Sequence, residues 1–138
     1  MGYLIKKAVQ QIVTAKVTLT PADLLSVSII DIPEYPRVDN HYWQVLIMNG
    51  HITGGTLPYV GTSTVHVQAS TAITPQFRFG GGYLQSAVDT WQFATMNTNP
   101  TNGILFVAND NLQIHVPVAL TIGNSNLDLY LTANLIPL

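Results

Sequence analysis

The sequence predicts an all-β fold: one antiparallel β-sandwich of jelly-roll type, with at most one or two short helical turns. Three observations carry this. Apolar residues recur at every second position over long stretches, most clearly from Leu112 to Leu138. Gly, Pro and Asn clusters divide the chain into eight or nine short runs rich in Val, Ile, Thr and aromatic residues. Helical spacing is confined to two brief segments, so a packed layer of helices has no source. The strand count and spacing favour a sandwich over a closed barrel. At 138 residues the chain suits one domain with a substantial core. The sequence divides into an N-terminal arm, residues 1–12, and a sandwich domain, residues 13–138.

The arm has no clean period and holds two of the five basic residues, Lys6 and Lys7, the candidate assembly contacts. From Val13 the alternation Val13, Ala15, Val17, Leu19 predicts a first strand. Thr20-Pro21-Ala22-Asp23 then reads as a helix start, with Thr20 as cap, Pro21 in the first position and Asp23 at the positive end of the dipole. A strand over Ser26–Ile32 follows. Pro33 and Pro36 remove backbone donors and make the next stretch a connection. Tyr42–Met48 is too continuously apolar for one wet face, which predicts a central strand or an interface. Asn49-Gly50 is the best tight-turn signal in the chain. After it, His51-Ile52-Thr53 either pairs back or continues past a bulge. Thr62–Gln68 and Gln76–Phe79 are further strands, and Gly80-Gly81-Gly82 reads as a turn that lets strands cross closely. Tyr83–Met96 fits a turn of helix at Leu84–Ala87 and then a strand Val88–Thr95. Asn97–Gly103 is a loop, Ile104–Ala108 a short strand and Asn109–Asn111 a turn. Leu112–Ile122 and Leu127–Leu135, separated by Gly123-Asn124-Ser125-Asn126, predict a long C-terminal hairpin.

Composition narrows the function. Charged residues are only 9% of the chain, against a usual value of about 25%, and none falls between Asp39 and Arg78. Either neighbouring subunits cover much of the surface, or the surface is a neutral one built of Thr, Asn, Gln and Ser. The net charge of −2 argues against nucleic-acid and anionic-membrane binding, which need clustered Lys and Arg. Without cysteine there is no disulfide framework or thiolate site. No apolar run approaches the roughly 18 residues of a membrane helix. The opening Met1–Lys7 lacks the form of a signal peptide, so synthesis in a cytoplasm without export is expected.

Catalytic and metal patterns are missing. There is no nucleophile-elbow spacing, and His41, His51, His66 and His115 stand apart with no ligand spacing. Glu34 is the single glutamate. Asn109-Asp110-Asn111 lacks the further ligands of a calcium loop, and Gly80–Gly82 beside Arg78 lacks the Lys-Ser/Thr and helix of a phosphate loop. No catalytic, cofactor or metal residue is assigned. Of the aromatics, Tyr59 beside Pro58 and Gly61, and Tyr83 after the glycines, are the candidate ligand-loop residues. The residues alternating outward in the final segment carry one formal charge, Asp128. Pro117, Ala119, Tyr130 and Ile136 are therefore the candidate subunit-interface residues.

The stretch Lys16-Val17-Thr18-Leu19-Thr20-Pro21-Ala22-Asp23-Leu24-Leu25, followed by Ile32-Pro33-Glu34-Tyr35-Pro36, resembles the start of small structural proteins of tailed-bacteriophage virions. The likeness extends in order of elements to the long ending Ile114–Leu138, while Arg37 stands where the pattern wants glycine. The resemblance implies a non-enzymatic, cofactor-free sandwich in the virion: a head decoration, head fibre or tail-associated subunit. Its partners would be copies of itself, a homotrimer by preference, and other virion proteins such as capsid or tail subunits. A receptor- or glycan-binding module is the alternative, with the loops around Tyr59 and Tyr83 facing the ligand.

Overall fold

The computed structural model describes residues 11–72, 74–80, 82–85, 89–97 and 106–138. Its strands are β1 (Gln11–Leu19), β2 (Ser28–Asp31), β3 (His41–Thr53), β4 (His66–Ala69), β5 (Phe77–Arg78), β6 (Thr90–Phe93), β7 (Thr95–Met96), β8 (Leu112–Val116) and β9 (Asn126–Pro137). One helical turn, α1 (Pro21–Leu24), and a 3-10 turn at Tyr83–Gln85 complete the described elements. Two antiparallel sheets result, in the orders β1-β9-β3-β6 and β2-β8-β4-β5-β7. The all-β reading holds.

Period two places the core. In the four-stranded sheet Ala15, Leu19, Leu127, Leu129, Leu131 and Ala133 point inward. They meet Val67, Ala69, Leu112, Ile114 and Val116 of the five-stranded sheet. At about 25 cal/mol per Å2 of apolar area removed from water, this two-layer burial is the main favourable contribution. Tyr35 fastens the inside of the first ladder: its buried hydroxyl donates to the carbonyls of Val13 and Leu131. Trp43 packs its ring at 5.0 Å from that of Tyr35 and donates its indole N–H to Pro36.

Helix α1 forms as the residues predict. Thr20 and Asp23 make a reciprocal capping box, with Pro21 in the first turn. Strand β1 starts at Gln11, so Gln11 and Ile12 belong to the sheet and not to an arm. Residues 1–10, Lys6 and Lys7 among them, lie outside the described residues.

Several local expectations are corrected. First, Asn49-Gly50 is not a turn, because β3 runs straight through it and pairs with β9 on one side and β6 on the other. The register shifts between Val45 and Ile47, and that bulge reverses which residues face inward. Trp43 and Val45 are buried before it, Met48 and Ile52 after it. Two inward sets spliced out of phase explain why this strand reads as continuously apolar. Gly50 serves close packing: a Cβ there would stand 2.7 Å from Phe79 Cζ.

Second, there is no C-terminal hairpin. Strand β8 pairs with β2 and β4, while β9 pairs with β1 and β3 in the other sheet. Pro117 has no N–H to continue β8. The chain instead crosses between layers, with the Leu120 amide donating to Leu24 and Thr121 bridging Val60. Ile122 and Gly123, both at positive φ, turn it into β9. Both sides of the crossing keep period two, so alternation alone could not separate a hairpin from an arch.

Third, Gly80 and Gly82 have open space where a side chain would go, so neither serves a close crossing. Phe106–Ala108, expected in a strand, has no strand pairing, and Ile104 and Leu105 lie outside the described residues, as do 98–103 of the expected loop and 86–88 of the expected helical turn and strand. The early part of Thr62–Gln68 is likewise irregular, β4 starting at His66.

Candidate functional site

The outer face of the four-stranded sheet concentrates the chemistry. Cross-strand register sets its side chains in rows. Thr18, Asp128, His51 and Trp91 form one row, and Lys16, Tyr130, Asn49 and Phe93 the next. Thr14, Thr132 and Ile47 follow.

The charges of this face are spent within it. Lys16 Nζ stands 3.3 Å from Asp128 and 5.5 Å from the centre of the Tyr130 ring. The Asp128 carboxylate raises the affinity of Lys16 for its proton, and Thr18 donates to the same carboxylate at 2.6 Å. At the other end His51 contacts Asp89 through Nε2 and stacks on Trp91, with centroids 4.1 Å apart and planes 6° from parallel. Trp91 in turn lies 5.5 Å from Tyr130. What is left uncovered is apolar: Trp91 is 60% exposed, Phe93 75%, and Ile47 is exposed between them and the bulge. Strand β6 is also the end strand of its sheet. Two bare rings thus stand on an open sheet edge beside paired charges, an exposed apolar patch.

Asn49 stands between two clefts. One is shared with Lys16, Tyr130 and Thr132; the other, of about 220 Å3, with Trp91, Gln92 and Phe93. Its Oδ1 is covered by neighbouring atoms and has no hydrogen-bond partner in the structure. A covered acceptor without a donor is costly and uncommon.

The residues singled out from sequence are dispersed. Tyr130 and Ile136 lie on this face of β9. Pro117 and Ala119 do not join them, because they belong to the crossing connection. Tyr59 and Tyr83 are corrected outright as exposed ligand residues, being 2% and 6% exposed. Tyr59 donates its hydroxyl to Ser125, and Tyr83 donates to Thr90. Burial pushes each phenol up to about 12. Irregular backbone flanked by Pro and Gly marks a loop, but here the loop folds its ring inward. Trp91 and Phe93, missed as surface groups, carried one signal: aromatics two apart in a short strand.

On the other sheet the fold unites two of the four scattered histidines. His66 and His115 are directly opposed on β4 and β8, with stacked rings 5.3 Å apart, and Arg78 is opposed to His66 on the far side. Burial lowers both imidazoles, helped by Arg78 at His66 and by His66 at His115. His66 Nδ1 lies 2.9 Å from the Thr64 carbonyl. His115 Nε2 meets Gln113, whose amide donates to Asp31. Asp110 is structural. Burial pushes its carboxyl up, but bonds from Ser70, Thr71 and the Asn111 amide outweigh this and hold it below its usual range. Among the described residues no group of three or more His, Asp or Glu could hold a metal ion.

No protein-family model matches the sequence, and no curated protein is similar to it. Among solved structures, a chain of the acid-stable capsid of Helicobacter pylori bacteriophage KHP30 superposes with a TM-score of 0.53 at 13% identity. The match takes in 94% of this chain and 98% of that one. At such identity the likeness is one of fold, and it spans nearly the whole of both chains.

Proposed function

We infer that the protein is a structural component of a bacteriophage virion. It assembles on the capsid or tail as a decoration- or fibre-type subunit, oligomeric with a trimer preferred, and works without catalysis. The observation that carries this is the end-to-end likeness of fold to a chain of a phage capsid structure. The outer face of the four-stranded sheet supports it. Trp91, Phe93 and Ile47 offer apolar area to a neighbour, and the Lys16–Asp128 ion pair and the His51–Asp89 contact on that face are closed within the chain. The low charge of the sequence fits a surface covered in an assembly. Sedimentation of the purified protein, with co-pelleting on particles, tests the reading. A stable oligomer that pellets with particles is expected. A monomer that fails to bind them overturns it.

A further inference from the structure

Strand β6 ends its sheet, and its register with β3 fixes which way each backbone group points. Antiparallel pairing alternates, and the Ala94 amide donates to Met48 at 2.8 Å. Thr90, Gln92 and Ala94 therefore turn their hydrogen-bonding groups toward β3. Trp91 and Phe93 turn theirs the other way, to an edge beyond which no described strand lies. Folded proteins guard such edges with charge, proline or a bulge. Strands β1 and β2, which end the two sheets on their other sides, carry Lys16 and Asp31. Thr90-Trp91-Gln92-Phe93-Ala94-Thr95-Met96, by contrast, has no charge, proline or glycine, and it supplies the remaining end strand of each sheet, β6 and β7.

This edge is complementary to itself. Set antiparallel about a two-fold axis at Gln92, two copies of β6 bring Trp91 opposite Phe93 of the second copy, and Phe93 opposite Trp91 of the second copy. These are the hydrogen-bonded positions of the new ladder, so the outward N–H and C=O groups of both residues find partners. On the outer face each bare Trp91 ring meets a bare Phe93 ring, a cross-strand aromatic pair, over the cleft of about 220 Å3 that the two residues line. At 60% and 75% exposure the two rings leave on the order of 300 Å2 of apolar area per copy. Each partner in a stable interface buries about 800 Å2, and exposed Ile47 and Met96 extend the patch toward that size. We propose that β6 pairs edge to edge with β6 of a second copy, joining two four-stranded sheets into one continuous sheet across a two-fold axis. This rests on the reading of the protein as a self-assembling virion subunit, and it names one contact. A two-fold contact closes with the pair, so a trimer uses a separate surface.

The chain has no cysteine, so a single introduced thiol reports the register. Gln92 meets Gln92 of the second copy in a non-hydrogen-bonded pair, where Cα atoms stand about 4.5 Å apart, within disulfide reach. Full-length Gln92→Cys should oxidise to a covalent dimer about tenfold or more faster than Thr14→Cys, an exposed control on β1, at the same concentration. Both positions are exposed, and equal melting midpoints of the reduced variants check that the fold is kept. Adding Phe93→Lys to Gln92→Cys should bring the rate down to that of the control. Oxidation of Gln92→Cys no faster than Thr14→Cys overturns the edge pairing, and so does a rate that Phe93→Lys leaves unchanged. Should the thiol variant melt early, sedimentation of wild type against Phe93→Lys reads the same contact, and an equal mass for the two overturns it. Co-pelleting with particles that persists without trapping leaves the virion reading standing, whereas trapping without co-pelleting overturns that reading alone.

Discussion

Ile122 is the clearest conflict between a residue and its backbone. It sits at φ 58, a left-handed conformation that crowds a β-branched side chain, and its own side chain is exposed and gains little from packing. Ile122→Asn should therefore stabilise the protein by about 1 kcal/mol, read as a higher midpoint in denaturant titration. Gly50 is the opposite case. Phe79 is fully buried and cannot retreat from a new Cβ, so Gly50→Ala should destabilise by about 1–3 kcal/mol in the same measurement. Both residues misled the sequence reading in the same way. A glycine after asparagine resembles a turn and an isoleucine in phase resembles a strand, but the structure uses the glycine for a close approach and the isoleucine in a bend. Such roles depend on Phe79 and on the crossing toward Leu127, partners remote in sequence. The helix start at Thr20–Asp23, complete within four residues, was legible, although the reciprocal bond from Asp23 back to Thr20 was not part of that reading.

Strands were legible where alternation met a local stop, as in β1, β2 and β5. They were not where pairing decided the outcome. Nothing local reveals that β8 and β9 lie in different sheets, or that the bulge at Leu46 lets one strand bury two phases. Pairing also creates the opposed histidines of β4 and β8, whose meeting depends on register alone. Their lowered proton affinity gives a pH dependence with a definite sign. Above pH about 6.5 both the folded and unfolded chains hold these rings neutral. Below it the unfolded chain binds protons that the folded pair resists, because burial disfavours the charge and Arg78 and the second ring oppose it further. Stability should fall with acidification until the folded pair protonates too. Thermal melts across this range should show the decline, and His66→Gln should flatten it. A variant that declines as steeply as wild type would remove the pair from the account.

At the scale of the molecule, the all-β class, the single sandwich and the sparse charge could be read directly, whereas the face proposed for binding could not. Candidate interface residues chosen by outward phase fell partly in the crossing connection. The face itself became visible only when β9, β3 and β6 were set side by side. Phe93→Lys should leave the fold intact, since the ring is bare, yet lower the oligomer population in sedimentation. An oligomer undiminished by this change would move the interface elsewhere. The order of pairing in this sheet also bears on when it can form. Strand β9 lies between β1 and β3, so the earliest strand has no partner until residues 126–137 have been synthesised. During translation β1, and the part of β3 that β6 does not pair, must wait with apolar faces unsheltered until β9 joins them in a late step. Refolding should accordingly be slow, as in other folds dominated by remote pairing. A cell producing such a chain in bulk would gain from holding nascent copies apart until that last strand arrives.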